Sequence, residues 1–301
     1  MGKGLTKILI IILSIGLQAC KQELPPTQSA AVVPSGSTTS SSCAIGKWTS
    51  INPTGIELSY SSEFTSDFTS TDYDNGLNPL EQSAKNWNSA ISSKTLFKLP
   101  LLETSNTGST DLTDYRDNEF GIYKSHTWFT NVSSSALAIT QYYGRMSSTG
   151  SLGSFVELSH ADIIFNYRDF GSSFKYKNAV TGQYDIQTVL FHELGHFLGL
   201  CHDSSHLSVM RPFYNGVRRF AYSFDEQKIT DLYINDRNTL APTGGSQAVK
   251  LPDGVEVVGR IELHANGECK HYKNGKLDYV HKTQNPSILK NIEGFMASQK
   301  K

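Results

Sequence analysis

The chain has 301 residues, 38% of them hydrophobic, which is enough for one good-sized domain with a real core and some appended segments. Its 27 Lys and Arg against 28 Asp and Glu leave a formal net charge of −1. That balance gives no footing for nucleic acid or for an anionic membrane surface, so no nucleic-acid partner is expected.

Residues 1–19 read as a signal peptide. Lys3 and Lys7 make a positive start, and Ile8 to Leu17 form an apolar run too short for a comfortable membrane span. Leu17-Gln18-Ala19-Cys20 resembles a bacterial lipobox, although Gln18 departs mildly from the usual small or apolar residue. The resemblance implies that Cys20 is lipidated, becomes the new N-terminus and anchors the protein in a membrane. Lys21, where enteric lipoproteins retained in the inner membrane carry Asp, leans toward the outer membrane or cell surface. The alternative is an ordinary secretion signal and a secreted or periplasmic protein. Residues 20–45 are rich in Pro, Ser and Thr, cannot bury enough apolar area to order themselves, and read as a disordered tether.

Residues 46–240 read as one α+β domain. Gly55 to Tyr60 (GIELSY) partly alternates as a strand does. Asn78-Pro79-Leu80-Glu81 carries an N-cap, Pro at N1 and Glu at N3, so a helix is predicted to start there. Leu80, Ala84, Trp87 and Ile91 then form its apolar stripe. Thr95 to Leu99 (TLFKL) is predicted as a second strand and residues 103–119 as polar loop. FGIYK, ALAITQYY and ADIIFNY are further strands between Gly- and Ser-rich turns. Asp185 caps a helix with Ile186, Leu190, Leu194 and Phe197 as its core face. Ser223-Phe224-Asp225-Glu226 is predicted as the capping box of another helix, with Ile229, Leu232 and Tyr233 inward.

Ala241 to Gln247 reads as a linker. Beyond it, residues 250–285 hold strand-like runs with Asn-Gly turns at 266–267 and 274–275, the mark of a small β-hairpin appendage. Of the four cysteines, Cys43, Cys201 and Cys269 remain if Cys20 carries lipid, so at most one internal disulfide forms. Cys43, which opens the folded region, and Cys201 are the expected pair, with Cys269 free in the appendage. A chain start commonly needs fastening.

The densest chemistry lies in HELGHFLGLCH, residues 192–202. His192 and His196, four apart on a helix, share a face and can grip one ion. Glu193 beside them suits a general base that touches the ion's water and not the ion. His202 completes three ligands only if the helix stops, since six more helical residues would carry it about 9 Å along the axis. Gly199 is that stop. Zinc held by three neutral histidines lowers the pKa of its bound water to about 7. Glu193 would take that water's proton during attack on a carbonyl and pass it to the leaving amine.

HExxHxxGxxH is the signature of the metzincin metalloproteases, and the chain resembles the matrixins among them. Met210, eight residues after His202, sits where that family has its methionine turn, and Pro212 and Tyr214 match the segment that walls the S1′ pocket. YSFDEQKITDLY is similar to the matrixin C-terminal helix. The resemblance implies a twisted mixed sheet with an active-site helix and a C-terminal helix, and a zinc endopeptidase acting on polypeptides. It runs most specifically over residues 185–233. Asp203 stands where matrixins usually have Ser, although the methionine spacing is theirs. Only about 18 residues separate Asn166 from Asp185, and Asp169 and Asp185 are poor substitutes for ligands, so one catalytic zinc is expected and no second one. Calcium is left open. The PRCGxPD segment is absent, and Cys43 has no flanking match to it. His206 reads as a solvent-facing turn residue. The competing class is a surface lipoprotein that binds or adheres, its metal site closed by a fourth protein ligand, with Cys201 and Asp203 flanking His202 as candidates. Glu193 argues against it, because a structural site has no use for a base.

Overall fold

The computed structural model describes residues 46–148, 154–177, 179–203, 206–214, 216–236 and 251–282, all within the unit Ser40–Lys301. The signal peptide, the tether with Cys20 and Cys43, and the linker Ala241–Gln247 lie outside the described residues.

In chain order the strands and helices are β1 (Gly46–Lys47), β2 (Leu58–Ser61), α1 (Pro79–Ser89), β3 (Leu102–Thr104), β4 (Phe120–Ser125), β5 (Ala136–Ser147), β6 (Phe155–Asn166), α2 (Tyr167–Phe170), β7 (Phe174–Lys175), β8 (Tyr184–Asp185), α3 (Ile186–Phe197), α4 (Ser223–Tyr233), β9 (Glu256–His264), β10 (Glu268–Lys273) and β11 (Lys276–Lys282). This is an α+β fold on a large mixed sheet with the order β11-β10-β9-β5-β6-β4-β2-β3, in which β1 pairs with β6, while β7 and β8 form a separate parallel pair. From β6 toward β3 the pairing is parallel, and from β6 through β5 to β11 it is antiparallel.

The helices start where the sequence marks them. Asn78 Oδ1 accepts from the amides of Leu80 and Glu81, and Glu81 accepts from the Asn78 amide, which together satisfy donors a helix start leaves open. The stripe Leu80, Ala84, Trp87 and Ile91 is buried. It turns toward α3, where the Trp87 indole donates to the Phe191 carbonyl (2.9 Å) and the two rings lie 4.7 Å apart. Asp185 caps α3 through Thr188 and pairs with Arg219. The core face Ile186, Leu190, Leu194 and Phe197 is buried at 1% exposure or less.

Three local readings shift. Thr95 to Leu99 is not a strand. Only Phe97 bridges, to Ile56, and Lys98 donates to the Ile56 carbonyl. Pro100 follows with no N–H to continue a ladder, and β3 forms just beyond it. Helix α4 is capped one residue earlier than expected: Asp225 reaches back to the Tyr222 amide (2.9 Å), so Ser223 is already the first helical residue. The hairpins of residues 250–285 form as their Asn-Gly turns require, with Asn274 (φ 49°) and Gly275 (φ 73°) left-handed between β10 and β11. They do not stand apart, however. β9 lies along β5 from Ala136↔His264 to Arg145↔Glu256 and extends the central sheet.

Candidate metal centre and active site

Helix α3 carries His192 and His196 one turn apart, and ends where Gly199 allows it. The Leu200 amide donates to Gly195 and the Gly199 amide to His196, each at 2.8 Å, the paired bonds of a Schellman stop. Gly199 has φ 89°, and a Cβ there would lie 1.9 Å from the Gly46 carbonyl oxygen, so both its backbone and its surroundings require glycine. The chain then doubles back and delivers His202. The three Nε2 atoms converge, with His192–His196 at 3.0 Å, His196–His202 at 2.9 Å and His192–His202 at 3.2 Å.

The outer ring nitrogens decide what those Nε2 atoms are. His192 Nδ1 lies 2.8 Å from the Val209 carbonyl and His196 Nδ1 2.9 Å from the Leu200 carbonyl. A carbonyl only accepts, so both Nδ1 atoms carry the proton and both Nε2 atoms present lone pairs. Burial pushes His192 down to about 4, which keeps the ring neutral. Lone pairs facing each other at 3.0 Å repel unless a cation lies between them, so the donor set fits a divalent ion such as zinc. Nδ1 of His202 faces Nε2 of His271 on β10 at 2.9 Å. With Nε2 of His202 turned to the other two, its Nδ1 donates to His271, and all three imidazoles are oriented from outside.

Glu193 is fully buried. Its Oε2 accepts from Thr140 Oγ1 of β5 (2.6 Å), while Oε1 has no hydrogen-bond partner. Burial raises its pKa to about 8, and a neighbouring cation would favour the carboxylate again. An unpaired carboxylate oxygen beside converging lone pairs is the arrangement expected where an ion and its water belong.

Beneath α3, Met210 is buried against Gly195, where a Cβ would lie 2.2 Å from Sδ. The turn that holds it is tied to α4: Ser208 Oγ and the Val209 amide both donate to Asp225. The Tyr214 hydroxyl accepts from the Asp185 amide (2.9 Å), and its ring lies 5.2 Å from that of Tyr184. Tyr214, His192 and Val189 line a small pocket together with Leu263 of β9, whereas Pro212 is buried outside that lining. Asp169 is paired with Arg168 and Asn166, and Asp185 with Arg219 and Thr188, so both acids near the short 166–185 segment have other work. His206 is exposed, next to Asp203 and stacked on Phe224.

Cys201 is disulfide-bonded, with its partner outside the described residues, and Cys269 is a free, buried thiol. The hairpin pattern of residues 250–285 puts Cys269 and His271 in an appendage. Both lie at the site instead: Cys269 Sγ is 3.4 Å from Nε2 of His202, and His202, Cys269 and His271 form a second group of converging donors. The available signal was their spacing, since residues two apart on a strand share a face. Thr140 was missed as well, and nothing local marks it.

No curated protein matches the chain. The family model described as matrixin, Peptidase_M10, matches residues 120–234, from β4 through α4 and short of β9. That match and the histidine triad support a matrixin-like zinc metalloprotease.

Proposed function

We propose that the chain is a zinc-dependent endopeptidase in which His192, His196 and His202 hold the metal and Glu193 is the general base. The observation that carries this reading is Glu193 Oε1, a buried carboxylate oxygen without a partner, beside three imidazole nitrogens whose lone pairs converge. Bound zinc supplies Lewis acidity toward the scissile carbonyl and a water acidified to a pKa of about 7. Glu193 takes the proton of the attacking water and delivers it to the departing amine. Thr140 fixes which carboxylate oxygen faces the reaction. The carbonyls of Val209 and Leu200 keep two of the histidines neutral and aimed. The pocket of Val189, His192 and Tyr214 is the S1′ subsite in this reading.

Glu193→Ala should keep one equivalent of zinc and lose about 10²- to 10⁴-fold in cleavage of an unfolded protein. Measurable cleavage at the rate of the unaltered chain, with zinc bound in both, would remove Glu193 from the mechanism.

We also propose export as a lipoprotein anchored through Cys20, on the strength of the Leu17-to-Cys20 segment and the apolar run before it. Cys20→Ser should move the protein from the membrane fraction to the soluble one. An unaltered protein that is already soluble would leave only a secretion signal.

A further inference from the structure

We propose that Cys269 is a fourth ligand of the metal and that strands β9–β11, which carry it, hold the active site shut. The latency half of this inference rests on the endopeptidase reading, whereas the ligand half does not.

Three contacts support it. The first is the thiol. In a tetrahedral site a sulfur at about 2.3 Å and a nitrogen at about 2.0–2.1 Å from zinc lie about 3.5 Å apart. Cys269 Sγ is 3.4 Å from Nε2 of His202, the nitrogen that also faces His192 and His196; its converging group is His202 and His271, so it approaches the triad from the His202 side and must close on the other two histidines when it binds the ion. Cys269 is the free thiol among the described cysteines and is fully buried. The ligand candidates beside His202 in sequence are committed elsewhere: Cys201 is in a disulfide, and Asp203 accepts from the His206 amide (2.6 Å). On ligation Cys269 gives its proton to solvent as Sγ bonds the ion.

The second contact is the sheet edge. Extended peptides bind by adding a strand to an open edge. β5 is the strand that reaches Glu193, through Thr140, and one of its edges is taken by β6. The other is occupied by β9, with Ile261 directly opposite Thr140. The third contact is the pocket beside His192, into whose lining β9 puts Leu263, a buried residue. Leu263 is the cross-strand partner of Cys269, so edge, pocket and metal are closed by one hairpin. A catalytic zinc site keeps a position open for water, and a structural one does not. With Cys269 bound to the ion the site would be of the closed kind. With these strands displaced, the same three histidines and Glu193 make the open kind. All of β9–β11 lies beyond the span of the matrixin match.

Cobalt loaded in place of zinc into the full chain provides the test, because a thiolate–cobalt bond has a charge-transfer absorption that imidazole ligands lack. The unaltered chain should show that band, whereas Cys269→Ser should bind one equivalent of cobalt without it. Zinc should slow alkylation of Cys269, and a chelator should restore it. A band that survives in Cys269→Ser, or alkylation indifferent to zinc, overturns the ligand assignment. For latency, Cys269→Ser should cleave an unfolded protein at least tenfold faster than the unaltered chain, and adding Glu193→Ala should abolish the gain. Equal, measurable cleavage by both overturns latency. If the band behaves as expected but neither chain cleaves anything, the ligand assignment stands and latency through Cys269 falls, because β9 on the β5 edge and Leu263 in the pocket remain in place in both chains.

Discussion

The site has two halves that are built differently. One is continuous in sequence: α3, the Gly199 stop, His202 and the turn of Met210, all within residues 186–210, with Asp225 of α4 tying the turn from outside. The other is β9 and β10, which bring Leu263, Cys269 and His271 to the same place from more than 50 residues downstream. The first half positions its side chains by helix periodicity and one left-handed glycine. The second positions them by the register of β9 against β5 and of β10 against β9, where a slip of one residue in β10 would turn Cys269 and His271 to the opposite face. The near half can make a metal site alone, and the far half decides whether that site is open.

The largest effect expected from a single change falls on the near half. Gly199→Ala places a residue at φ 89° and a Cβ 1.9 Å from the Gly46 carbonyl. The backbone strain alone costs about 1–3 kcal/mol, and the clash must push β1 aside as well. Denaturant unfolding of the metal-free protein should show a clear loss of stability, and His202 should no longer meet its partners. An unchanged midpoint would mean that α3 ends without help from Gly199, and the two halves would differ less than described.

The far half should respond more mildly and in a different quantity. His271→Ala removes the acceptor for His202 Nδ1. Losing an outer partner of this kind typically weakens metal binding by about 10- to 100-fold. Stability of the metal-free chain should change less than zinc affinity does, measured by competition with a chelator. An unchanged affinity would make β10 a cover only, with no hand in orienting the ligands.

The same contrast governs what could be read from the sequence. Asn78, Asp185, Gly199 and the His192/His196 pair were legible because each acts within a few residues, where spacing alone dictates geometry. The hairpins were legible too, from Asn266-Gly267 and Asn274-Gly275, but not their partner strand. Pairing of β9 with β5 joins segments more than 100 residues apart, and no local pattern names the edge a strand will choose. Cys269 therefore read as a free cysteine in an appendage when it stands against His202. TLFKL failed in the opposite way, since its residues favour a strand and Leu96 and Phe97 are buried as a strand's would be, yet Pro100 cuts the ladder short.

The smallest effect sharpens the comparison most. Asp203 follows His202 directly and carries a carboxylate, a good ligand for zinc, so proximity in sequence makes it the natural candidate for a fourth ligand in the near half. Its Oδ1 is engaged by the His206 amide at 2.6 Å and lies 3.0 Å from the His206 ring, at the exposed turn. A typical intramolecular hydrogen bond such as that from the His206 amide contributes about 0.5–1.5 kcal/mol. Asp203→Ala should cost stability on that scale and leave zinc affinity and the cobalt spectrum as they are in the unaltered chain, while Cys269→Ser, remote in sequence, changes the spectrum. Loss of metal in Asp203→Ala would return the fourth ligand to the near half and make the contact of Cys269 with His202 one of packing alone.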